Sequence, residues 1–231
     1  MTMKYPLLLF VVFELAYLAV ARTFTHTYTG DEISKELIWS VIRVVSAGMM
    51  FWLWRQTRST NPGATSKITP LSLLACGMFL APVLAGNENL GRPLSWIFAA
   101  TSLVVGLREE LAYRAILQTQ LRGRFGILPA LLVSNVFFVL YHLGAQAFTP
   151  LNIWQMFAAG MIIGLAYEAS GSLLLAVALH AIYDAIYCFT PLLGTPLPEI
   201  AGSIVLAVTL LALLVAQRAK LFPSNPSIPL P

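Results

Sequence analysis

The sequence predicts an all-α, polytopic membrane protein. Of its 231 residues, 58% are hydrophobic and only 10% charged, and apolar stretches of about 20 residues, the length that crosses a hydrocarbon core, recur along the chain. Mean hydropathy is +0.78.

The elements follow in order. A first span is expected over 5–21. Lys4, the run from Pro6 to Phe13 and the triplet Ala19-Val20-Ala21 imitate a secretory signal with its cleavage site, but Glu14 interrupts the apolar run, so the segment reads as a retained span. Further spans are expected over 37–54, 68–85, 94–121, 127–143, 151–167, 173–189 and 200–216, eight in all and forming one bundle. Between them lie breakers: Asn61-Pro62-Gly63, Gly86 with Pro93, Gly123 with Gly126, Ser170-Gly171, and the stretch from Pro191 to Pro198. No linker separates two cores. Residues 1–222 therefore read as a single transmembrane domain, with its motif-bearing core at 94–189, and 223–231 as a flexible C-terminal tail.

The distribution of basic residues agrees with eight spans. With a cytoplasmic N-terminus, Lys4, Arg55, Arg58, Lys67, Arg122, Arg124, Arg218 and Lys220 fall on the cytoplasmic side, and Arg22, Lys35 and Arg92 on the other. An odd number of spans would move Arg218 and Lys220 to the wrong face, so both termini are expected in the cytoplasm of a prokaryotic inner membrane. The formal charge of +4 is scattered through short connections and forms no patch, which excludes a nucleic-acid partner. Cys76 and Cys188 lie in apolar stretches and build neither a disulfide framework nor a zinc ribbon.

Against this background the ionisable residues inside spans stand out, because placing them there is costly. Glu109, Glu110 and Arg114 fall in the fourth span, His142 at the end of the fifth, and His180 and Asp184 in the seventh. At helical rise, Glu109 lies about 20 Å, His142 about 22 Å, His180 about 10 Å and Asp184 about 16 Å from the cytoplasmic ends of their spans. Three helices thus bring acid, base or ligand groups to overlapping depths. Residues four apart share a helix face, which pairs Glu110 with Arg114, His180 with Asp184 and Phe138 with His142, and Asn135 shares the face of His142. Glu109 points about 100° away from Glu110. It is left without a cation of its own, as a general base requires. Glu14 and Arg43 are expected to pair with each other. Tyr113, Tyr141 and Tyr183 adjoin motif residues and so point to other helix faces.

The ordered set Glu109-Glu110-x-x-x-Arg114, Phe138-x-x-x-His142 and His180-x-x-x-Asp184 resembles the three motifs of the CAAX protease and bacteriocin-processing enzymes, the intramembrane endopeptidases also called Abi proteins. The resemblance covers 94–189. It implies hydrolysis of a peptide bond near the C-terminus of a membrane-associated protein or peptide, with membrane lipid as the surrounding partner. Carried over by position, Glu109 activates water with help from His142, and His180 with Asp184 holds the water or the oxyanion. Glu110, Arg114, Phe138 and Asn135 shape the site. Asp184 departs from the asparagine that often ends the third motif, and an acid there is expected to hold His180 in one tautomer. The resemblance leaves two cofactor readings: a metal-free, glutamate-dependent enzyme, which is favoured because no His-x-x-x-His pair is present, or a zinc enzyme with His142, His180 and Glu109 as ligands. Removal of a C-terminal membrane anchor in protein sorting, or peptide maturation, are the expected roles.

Two other classes share some of these features. A proton-coupled transporter would also carry Glu, His and Asp in its spans, but no pair of similar halves is visible. A non-catalytic immunity or assembly protein would be expected to lack Glu109 or His142.

Overall fold

The computed structural model describes residues 5–57, 68–84, 92–143, 149–189 and 196–222, and every regular element among them is a helix. Asn61-Pro62-Gly63, Gly86, residues 191–195, Lys4, Arg58, Lys67 and the tail at 223–231 lie outside the described residues.

Helix α1 (Pro6–Thr27) begins with proline, whose missing N–H costs nothing in a first turn. Helix α2 (Glu32–Thr57) starts where the Asp31 carboxylate accepts the Ser34 N–H at 2.8 Å, and that bond holds the carboxyl below the ordinary aspartate range. A reciprocal Thr69–Ser72 cap opens α3 (Pro70–Leu84). Its middle tightens to a 3-10 turn at Cys76–Phe79, which contains Met78, four residues ahead of Pro82, where the ring and the missing donor disfavour a regular α-helical bond.

Helix α4 (93–125) is α-helical over Pro93–Glu110, π-helical over Leu111–Gln118 and α-helical again over Thr119–Phe125. It stops at Gly126, whose φ of 84° suits a residue without a Cβ. Then follow α5 (Ile127–Tyr141), α6 (Pro150–Ser170), α7 (Leu173–Tyr187), α8 (Pro196–Ala216) and the short α9 (Arg218–Leu221). Thr149 and Ser172 cap α6 and α7 by accepting the N–H groups of Asn152 and Leu175. Gly171, at φ 64°, makes the left-handed end of α6.

By length and composition α1 and α2 are fit to cross a membrane, and Pro70–Leu84, α5, α7 and Ile200–Ala216 are shorter apolar helices. Along the helices the surface is largely apolar, with Leu8, Leu15, Val41, Val45, Leu103, Leu174, Val208 and Leu211 exposed, and exposed charges such as Arg55, Arg92, Arg124 and Arg218 lie at or near helix ends. Between those ends charges lie inside, with Arg108, Glu110 and Arg114 fully buried. This inversion suits a lipid solvent. Arg122 at the end of α4 lies 3.0 Å from Glu168 at the end of α6, and Lys220 of α9 donates to the Glu168 carbonyl, so these basic residues share one end of the bundle.

Glu14 and Arg43 do not pair. Glu14 receives two 2.7 Å contacts from Arg108 on α4, while Arg43 pairs with Glu36, two turns back on its own helix. The reason is facing: Phe10, Glu14, Tyr17 and Ala21 form the buried stripe of α1, and α4 rather than Arg43 supplies its cation.

Helix α4 approaches α7 through Gly106, where an added Cβ would stand 3.2 Å from the Val177 carbonyl oxygen and 3.3 Å from the Ala181 nitrogen. Gly106→Val is expected to lower stability by about 1–3 kcal/mol through overpacking against backbone. Gly123→Ala, at a helical position with nothing near its Cβ, is expected to be neutral or stabilising. Melting of both variants in detergent micelles checks the pair.

Candidate active site

Helices α4, α5 and α7 bring the motif residues together. Glu109 Oε2 lies 3.9 Å from His142 Nε2 and 3.7 Å from His180 Nε2, and it is buried without a hydrogen-bond partner among the described residues. The side chains of Glu109 and His180 are 4% and 5% exposed, that of His142 13% and that of Asp184 33%. Asp184 and His142 are thus the more exposed of the four, and Glu109 and His180 the more deeply buried.

Each imidazole has its far nitrogen occupied. His142 caps the C-terminus of α5, and its Nδ1 lies 2.9 Å from the carbonyl oxygen of Phe138, one turn back. A carbonyl only accepts, so Nδ1 donates to it and Nε2 is the nitrogen turned toward Glu109. His180 Nδ1 lies 2.7 Å from Glu110 Oε1, and its Nε2 lies 3.4 Å from Asp184 Oδ2. The expected Asp184 contact with His180 is present, and a closer one comes from Glu110 on α4, because adjacent carboxylates on one helix turn to different neighbours.

Glu110 is matched on both sides. Its Oε2 accepts from Arg114 Nε at 3.1 Å, the expected i, i+4 pair, while Oε1 faces His180. Arg114 sits in the π-helical segment, where the Thr119 N–H reaches back five residues to the Arg114 carbonyl. Such widened turns recur at functional sites. Phe138 is the hub of the aromatic contacts: its ring is 5.4 Å from the Arg114 guanidinium and edge-on to His142 and His180 at 4.9 and 5.9 Å. Asn135 donates to the Phe157 carbonyl at 2.8 Å and thereby ties α5 to α6.

Two features were not assigned in the sequence. Arg108, buried completely, lies between the rings of Tyr17 and Tyr141 at 4.0 and 4.6 Å and binds Glu14, whose Oε2 also accepts from the Tyr113 hydroxyl. Of the tyrosines beside the motifs, Tyr141 and Tyr113 thus face the Glu14–Arg108 pair, while Tyr183 packs against Tyr187. Gly160 and Gly164 on α6 clear space for Arg114: a Cβ at Gly160 would stand 2.1 Å from Asn135 Oδ1 and 3.2 Å from Arg114 Nη2, and one at Gly164 3.1 Å from Gln118 Oε1. The signal for the glycines was their Gly-x-x-x-Gly spacing in an apolar stretch.

Among the described residues no group of three His, Cys, Asp or Glu side chains is arranged to hold a metal ion.

Residues 91–186 match the family model for the type II CAAX prenyl endopeptidases, Rce1-like. The matched stretch contains all three motifs and leaves α1, α2, α3 and α8 outside it. No curated protein and no solved structure matches the chain.

Replacing Arg114 would leave Glu110 without its cation in a fully buried position. Arg114→Leu is therefore expected to destabilise the fold by about 3–5 kcal/mol. Adding Glu110→Gln should recover part of that loss, as measured by reversible unfolding in mixed micelles.

Proposed function

From a type II CAAX prenyl endopeptidase domain, Rce1-like, at residues 91–186, we propose that this protein is an intramembrane endopeptidase in which Glu109 activates water to cut a peptide bond near the C-terminus of a membrane-associated protein. One observation carries the reading: a buried carboxylate oxygen without a hydrogen-bond partner, faced from two other helices by imidazole nitrogens at 3.7 and 3.9 Å. Those separations are too long for direct hydrogen bonds and suit a water held between the groups.

The chemistry follows from the tautomers. A water between Glu109 and His142 donates one hydrogen to the carboxylate and the other to the bare Nε2 of His142, which leaves its oxygen lone pairs free to attack the scissile carbonyl. Glu109 takes the proton as the C–O bond forms and returns it to the departing amine as the C–N bond breaks. His180, as an imidazolium with both ring nitrogens protonated, donates through Nδ1 to Glu110 and offers its Nε2 hydrogen to the developing oxyanion, and Asp184 accepts that hydrogen before substrate arrives. Arg114 and Phe138 keep Glu110 and both imidazoles in place, and the reaction needs no metal.

The wider assignment is part of the same reading. All eight helices α1 to α8 cross a prokaryotic inner membrane, with the Arg122–Glu168–Lys220 end in the cytoplasm and both termini there. His142 at the end of α5 then lies toward the outer face. Removal of a C-terminal anchor from an exported protein suits that depth, with membrane lipid around the bundle and no nucleic-acid partner.

The test compares Glu109→Gln, His142→Ala and His180→Ala for folding and for cleavage of membrane-anchored candidate substrates from the same cell. Each is expected to fold, and turnover is expected to fall by about 10²–10⁴-fold when the base or its partner is lost. Full activity in Glu109→Gln would remove the proposed base. Activity that disappears on exhaustive chelation and returns with zinc would replace the metal-free mechanism.

A further inference from the structure

The motif core does not stand alone: α1, which lies outside residues 91–186, touches the residues next to both Glu109 and His142. Arg22 donates from Nη2 to the carbonyl of Tyr141 at 3.0 Å and to that of Leu143, so it fastens the peptide units on both sides of His142. These carbonyls lie at the end of α5, where the helix has no further N–H groups to offer them and a cation is favoured. Tyr17 stacks on Tyr141 with ring centroids 5.9 Å apart, and the two hydroxyls are 3.1 Å apart. One turn before Tyr17, Glu14 holds Arg108, the residue preceding Glu109, and Arg108 in turn lies over the Tyr141 ring.

These contacts join into one chain from Glu14 through Arg108 and Tyr141 to Arg22. Most of the surface of α1 faces outward, whereas the inward stripe contains Glu14 and Tyr17. A carboxylate would not be kept at that depth for packing alone when an apolar residue of similar size would fill the space at less cost. We infer that Glu14 and Arg22 are positioning residues: α1 acts as a clamp that sets the backbone on which Glu109 and His142 are carried. The clamp touches neither reacting group and works through Arg108, Tyr141 and Leu143.

The test uses the full chain in detergent micelles with Glu14→Gln, Arg22→Gln and Arg22→Lys. Its first readout needs no substrate. Diethyl pyrocarbonate acylates unprotonated imidazole nitrogens, and peptide mass spectrometry separates the three histidines, with exposed His26 as internal reference. In Arg22→Gln and Glu14→Gln, His142 is expected to react about tenfold faster, the scale set by losing a hydrogen bond from a charged donor. In Arg22→Lys its rate should return close to that of the parent chain, with His26 unchanged throughout.

The second readout is cleavage of a quenched fluorescent peptide with an apolar C-terminal anchor. Here kcat should fall about tenfold in both glutamine variants while KM stays within about twofold, the pattern of a lost transition-state geometry. Parental His142 reactivity in both glutamine variants overturns the inference. So does a joint rise at His142 and His180 with a fall in melting temperature, which marks general loosening. The inference rests on the endopeptidase reading for its kinetic arm alone: a parent chain that cuts no such peptide counts against that reading, and the histidine rates still decide the clamp.

Discussion

A carboxylate held inside an apolar helix bundle must find a donor, and α4 places two of them side by side. The organisation of the molecule follows from how differently Glu109 and Glu110 meet that requirement. Glu110 is saturated by Arg114 on one oxygen and His180 on the other. Glu109 keeps an oxygen with no direct partner while two imidazoles stand just beyond bonding range. The first arrangement fixes structure. The second leaves a carboxylate oxygen open to a further partner, between rings that Glu110 and Phe138 contact.

Packing makes the charge network possible. Arg114 fits against α6 because Gly160 and Gly164 present no side chains there, and α4 reaches the backbone of α7 through Gly106. Close approach of this kind is how helices associate where burial of apolar surface gives little advantage over lipid. The π-helical segment from Leu111 to Gln118 belongs to the same solution, since all eight of its residues are buried against neighbours on several sides. A second network at the far end, joining Gln118, Arg122 and Glu168, ties α4 to α6 where the bundle meets its basic edge.

The match to the CAAX endopeptidase family covers the motif helices and stops short of α1. Yet the Glu14–Arg108 pair and the Arg22 contacts make α1 continuous with the wall of the site. The region without a motif thus supplies partners for charges that the motif region cannot balance by itself: α4 carries Arg108 with no acid of its own helix bonded to it, and α5 ends with carbonyls that α1 caps.

The sequence by itself determined the helical class, the approximate extent of the helices and which residues would converge, because hydropathy sets helix length and i, i+4 spacing sets facing within one helix. Glu110–Arg114, Phe138–His142 and His180–Asp184 were legible for that reason. Facing between helices was not. Whether Glu14 would meet Arg43, Arg108 or Arg114 depends on how α1 is rotated and which helix it lies against, and local periodicity carries no information about either. The same holds for Glu110 reaching His180 Nδ1 and for Arg22 reaching the end of α5. Those contacts join residues 70 and more positions apart, and only the packing of the bundle decides them.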